Sequence, residues 1–89
     1  MNDEIIETAT YYGVEVTQAG GRLAEKRLID AGFSIAASGW DGSSTMWRIL
    51  LMDKKDECPT STDEAERARA ELWNNGWGYV SLIEQDLEV

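Results

Sequence analysis

Two helix stops, alike in form and 44 residues apart, constrain the fold of this chain more than any other feature. Leu28-Ile29-Asp30-Ala31-Gly32-Phe33 lies over Leu72-Trp73-Asn74-Asn75-Gly76-Trp77. In each, a glycine sits where a helix ends in a left-handed residue, and the aromatic after it can fold back onto the leucine. The helix before the first stop is expected from Thr17, a suitable N-cap, to Ala31. Gly20, Gly21, Ala24, Leu28 and Ala31 would form its small-residue inner face. The second is expected to open on a capping box, Ser61 with Glu64, just after Pro59. Asp63, Glu64 and Glu66 suit its positive N-terminus, and Ala65, Ala68 and Leu72 make its inner stripe. Trp77 is expected as the contact of its stop, and Trp73 at the edge of the core.

Each stop runs directly into a β-rich segment, residues 33–38 and 78–83. The same offset sets Ile5 and Ile6 over Ile49 and Leu50, which predicts a strand before the first helix, within residues 4–12. That segment also reads as a short helix, with Val14-Glu15-Val16 then a brief strand. Asp41-Gly42-Ser43-Ser44 is a turn cluster between residues 33–40 and 45–53, a hairpin signal. The order is strand, helix, strand, strand, helix, strand. Short right-handed connections turn it into a four-stranded antiparallel sheet with both helices on one face, the ferredoxin-like βαββαβ arrangement. With residues 4–12 helical, the alternative is a winged helix. Either way the 89 residues make one α+β domain.

Charge separates the function classes. The chain carries 17 Asp and Glu against 8 Lys and Arg and no histidine, a net charge of −9. Such a molecule is repelled by nucleic acid and anionic membranes and attracted to basic partners. Direct nucleic-acid binding and membrane association are therefore not expected. The longest aliphatic run, residues 49–52, cannot cross a bilayer, and the acidic start lacks the basic region of a signal peptide. The single cysteine, Cys58, has no internal partner, which fits a reducing, cytoplasmic setting.

Catalysis finds little footing. Without histidine there is no Ser-His or Cys-His pair and none of the common zinc sets. Gly20-Gly21 and Gly39-Trp40-Asp41-Gly42 lack the spacing of a phosphate loop. Asp53-Lys54-Lys55-Asp56-Glu57 lacks the glycine and alternating oxygen ligands of an EF-hand. Cys58, beside Glu57, lacks the cationic setting of a nucleophilic thiolate. No enzyme activity, cofactor or metal is expected.

Two surfaces are expected instead. The ferredoxin-like topology gathers Asp3, Glu4, Asp30, Asp53, Asp56, Glu57, Asp63, Glu64, Glu84, Asp86 and Glu88 at one pole of the sheet, tempered by Lys54 and Lys55, with Asp53, Asp56, Glu57, Asp63 and Glu64 as partner-binding charges. Centring the hairpin on residues 41–44 pairs Phe33 with Met52 and Ile35 with Leu50 toward the helices. Ala36, Ser38, Trp40, Trp47, Ile49 and Leu51 then lie on the open face, where Trp40, Trp47, Ile49 and Leu51 form an apolar patch for a partner or a second copy.

In size, acidity and lack of a catalytic motif, the chain resembles the small acidic inhibitors of phages and mobile elements, anti-CRISPR proteins among them. No residue pattern carries that resemblance. It implies a non-enzymatic protein that occupies a basic, nucleic-acid-binding surface of a partner by steric and electrostatic competition. A small-molecule-sensing regulatory domain and a plain dimerisation module are the alternatives.

Overall fold

A computed structural model describes residues 7–40, 42 and 44–88. Among them the element order is β1 (Thr8–Thr17), a short 3-10 turn (Gln18–Gly20), α1 (Gly21–Asp30), β2 (Ser34–Trp40), β3 (Met46–Met52), α2 (Thr62–Trp73) and β4 (Ser81–Glu88). The strands form one antiparallel sheet in the order β2-β3-β1-β4. The chain is thus a small α+β protein with an open four-stranded sheet and two helices. The segment carrying Val14 and Val16 is a long strand running into the first helix, so the chain is not a winged helix.

Both helices pack on one face. Ala24 and Leu28 of α1 and Ala68 and Leu72 of α2 meet Val14 and Val16 of β1, Ile49 and Leu51 of β3, and Val80 in a single core. Burying these aliphatic side chains contributes roughly 1.5–3 kcal/mol each for the larger ones. No polar side chain is buried within the described residues.

The two stops form as their sequences require. Gly32 and Gly76 have φ of 98° and 99°. Phe33 N–H donates to the Leu28 carbonyl at 3.0 Å, and Trp77 N–H to the Leu72 carbonyl at 3.2 Å. The helix starts differ from expectation. Ser61 is the N-cap of α2 but makes no side-chain cap bond, so the capping box is not formed, and Glu64 pairs with Arg67 instead. Thr17 precedes the 3-10 turn rather than α1, and its hydroxyl caps nothing.

The 44-residue offset ends at the helices. The core residues of β1 are Val14 and Val16, directly before α1, whereas nine residues separate β3 from α2. Ile5, Ile6, Asp3, Glu4 and Asp41 lie outside the described residues. The last strand begins at Ser81, later than the expected residues 78–83, and continues to Glu88.

The largest correction concerns which face the hairpin residues occupy. Ile35 pairs with Leu51, but Ala37 pairs with Leu50 and Ser38 with Ile49, a β-bulge that inserts one extra residue at Ala36. Ile35 faces the helices as expected. Strict alternation would then send Ser38 and Trp40 outward, but the extra residue sends them to the helix side, and Trp47, Ile49 and Leu51 are on that side with them. Ile49 and Leu51 are fully buried and Trp47 packs on the core, so none of the three forms an open-face patch.

Candidate functional site

The face away from the helices offers little apolar surface. Leu50 is only 2% exposed there, beside Gly13 of β1. A Cβ on Gly13 would lie 1.9 Å from the Ile49 carbonyl oxygen, so only glycine permits this approach of β1 and β3. Arg48 spans this face. Its Nε donates to Glu15 at 3.2 Å and its Nη1 to Gln85 at 3.3 Å, tying β3 to β1 and β4. What remains is a shallow depression of about 220 Å³ bordered by Ala37, Gly39, Trp40 and Arg48.

On the helix face, the β2 side is closed by Trp47. Its ring lies over Gly21 so closely that a Cβ there would fall 2.1 Å from the ring. The indole N–H donates to Ser38 Oγ at 2.8 Å, and Ser38 donates to the Glu25 carboxylate at 2.9 Å. This chain of bonds joins β3, β2 and α1. Trp40, 51% exposed, ends β2 with its indole N–H on the Ser44 carbonyl. Of the four residues expected in an apolar patch, Trp40 alone stands in solvent.

The acids gather as the topology requires. Antiparallel pairing brings the starts of β1 and β2, the ends of β3 and β4, the end of α1 and the start of α2 to one pole. Asp30, Asp53, Asp56, Glu57, Asp63, Glu64, Asp86 and Glu88 lie there. Asp30 pairs with Lys26 at 3.1 Å and Glu64 with Arg67 at 2.8 Å; the others have no cationic partner among the described residues. Asp53 is engaged within its own loop. Its Oδ1 accepts the Lys55 and Asp56 N–H groups at 2.8 and 3.0 Å, while its own N–H donates to the Cys58 carbonyl at 2.7 Å. Its carboxylate shapes the loop, in which Glu57 takes a left-handed φ of 54°.

Three acids matter more than their expected share. Glu84, Asp86 and Glu88 alternate along β4 opposite Tyr12, Thr10 and Thr8, so all three project from one face of an edge strand. Each is exposed, and Asp86 accepts a 2.6 Å bond from the Thr10 hydroxyl. The signal is legible as acids at every second position of a strand, but it needs the strand bounds to be read. Leu82, opposite Val14, belongs to the same face and is also exposed. Arg69 of α2 donates to the Val80 carbonyl at 3.2 Å, which holds the helix against the segment leading into β4. Trp73, beyond Arg69 on α2, is 58% exposed rather than at the core edge, and Tyr79 beside Val80 is exposed as well. Trp77 behaves as expected, packed on the core with its indole N–H on the Gly20 carbonyl at 3.3 Å.

The α2–β4 side therefore presents exposed Trp73, Tyr79 and Leu82 where β4 begins, and from Leu82 a row of carboxylates without a cationic partner among the described residues runs along β4 to the acid-rich pole. Among the described residues, no three His, Cys, Asp or Glu side chains converge closely enough to hold a metal ion. Among the same residues no helix is long and apolar enough to cross a membrane. Compared with models of protein families, with curated proteins and with solved structures, the chain matches none.

Proposed function

We propose that this protein binds a basic, nucleic-acid-handling protein and acts by occupying the surface where DNA or RNA would lie, as a non-enzymatic inhibitor of the anti-CRISPR kind. One observation carries the reading: the exposed Glu84-Asp86-Glu88 row on edge strand β4, with no cationic partner among the described residues, continuing from exposed Leu82 on the side that also carries exposed Trp73 and Tyr79. Carboxylates at every second strand residue stand about 7 Å apart, close to the spacing of successive phosphates along a nucleic-acid strand. Exposed Trp and Tyr supply the anchors that dominate interface energetics, while the acids speed encounter with a basic surface. The contact surface moves from the Trp40/Trp47 patch to the α2–β4 side, with Asp56, Glu57, Asp63 and Glu64 at its flank.

The scaffold is best described as ferredoxin-like. The βαββαβ order, a sheet with β1 and β3 in the centre, and helices sharing one core support that description. The test of function is affinity capture from lysate with elution by salt. A basic protein released by salt, whose binding to DNA or RNA falls when this chain is added, is the expected result. Direct micromolar binding of the isolated chain to nucleic acid, weakening as salt rises, would refute the reading.

A further inference from the structure

The two edges of the sheet differ in how they are guarded. β4 carries Glu84, Asp86 and Glu88, the charged residues with which exposed edges resist pairing. β2, at the other edge, reads Ser34-Ile35-Ala36-Ala37-Ser38-Gly39-Trp40, with no charge and no proline. Its bulge lies at the beginning, between Ile35 and Ala37, leaving the residues from Ala37 to Trp40 in regular pairing with β3. Beside it run exposed Ile29 of α1 and a depression lined by Arg22, Glu25, Lys26, Ser38 and Trp47. Lys54 borders the adjoining groove over Phe33 and Ile35.

The charges beside this edge are nearly balanced, unlike those of the whole chain. Arg22, Lys26 and Lys54 lie there with Glu25 and Asp30, and Lys26 pairs with Asp30 at 3.1 Å, on a protein of net charge −9. Two copies of so acidic a chain repel least where each presents such a balanced strip. We infer that the β2 edge is a self-association surface, occupied by β2 of a second copy in antiparallel pairing about a twofold axis. Antiparallel pairing sets the acid-rich pole of each copy beside the opposite pole of its partner, where Arg22 and the Arg48–Glu15 pair lie, and places the two acid-rich poles at the far ends of the dimer. It also runs the two α1 helices side by side in opposite directions, so that the Asp30 end of one meets the Arg22 end of the other. The outward main-chain groups of β2 find partners, and Ile29 and Trp40 leave water. An eight-stranded sheet results, with both acid rows at its outer edges, free for the partner proposed above. The inference does not depend on that partner.

Sedimentation equilibrium of the whole chain from ~1 to ~200 µM at ~0.15 M salt tests it, because self-association makes mass depend on concentration. A monomer–dimer equilibrium is expected. Ala37 is exposed on β2, and a Cβ at Gly39 meets nothing within 4 Å, so a lysine at either place disturbs no packing. Ala37→Lys and Gly39→Lys, each confirmed folded by circular dichroism, are expected to weaken the dimer at least about tenfold by guarding the edge. Leu82→Lys on β4 is expected to leave it unchanged. A wild-type monomer throughout this range overturns the inference. So does a dimer that survives both β2 lysines, or one that is lost with Leu82→Lys.

Discussion

The β2 and β4 sides of the sheet are built from similar parts put to different use. Each has an edge strand, a helix over it and a tryptophan beside the helix. On the β2 side the tryptophan, Trp47, is drawn in over Gly21 and bonded through Ser38 to Glu25. On the β4 side Trp73 stands in water with Tyr79 and Leu82, and carboxylates follow Leu82 at alternate positions along the strand. The first arrangement stabilises the fold. The second contributes little to folding, and clustered like charges oppose it. Exposed aromatics and mutually repelling acids on one side, against an uncharged edge on the other, are the two surfaces to which we propose separate partners.

Substitutions at matched positions sharpen the contrast. The largest effect is expected from Trp47→Ala, which should lower stability by about 3–5 kcal/mol in urea unfolding, against less than about 0.5 kcal/mol for Trp73→Ala. Similar losses from both would erase the distinction between the two sides. Gly21→Ala should cost roughly 1–3 kcal/mol, because the new methyl group enters the Trp47 ring. Equal stability would show that the ring can move aside. Ser38→Ala should cost about 1–2 kcal/mol, since it removes the hydrogen-bond partner of both Trp47 and Glu25. Smallest of all, the triple reversal Glu84→Lys, Asp86→Lys and Glu88→Lys should raise stability slightly at low salt and lose that gain as salt screens the charges. A salt-independent loss would mean that these acids hold the strand in place.

Local chemistry made much of the fold legible. The stops at Gly32 and Gly76 depend on residues within one turn, so the six-residue strings already contain their geometry. The hairpin and the gathering of acids at one pole followed once the order of elements was read. The placement of Trp47, Ile49 and Leu51 was not legible, because the bulge at Ala36 leaves no mark in Ile35-Ala36-Ala37-Ser38, and one extra residue moves everything after it to the other face. The first turn of α2 misled for a different reason. Ser61 and Glu64 have the spacing of a capping box, but Arg67 lies within reach of Glu64 and takes its carboxylate. Residues 78–80 read as strand because each helix stop runs directly into a β-rich segment. In the fold they connect α2 to β4, and Val80 serves the core and binds Arg69. Topology already placed Glu84, Asp86 and Glu88 at the acid-rich pole, but only the register of β4 against β1 gave them a common face.

Hydrogen exchange at the two edges tests most directly whether they face different partners. Amide protection in β2 and β4 should be compared in dilute and concentrated protein, and again with a captured basic partner. We expect protection in residues 37–40 to rise with concentration while β4 stays unchanged, and protection in β4 to rise only when the partner is added. Concentration-dependent protection of β4, or a partner that protects β2 and leaves β4 exchanging as before, would contradict the division of the molecule into a self-pairing edge and an acidic binding edge.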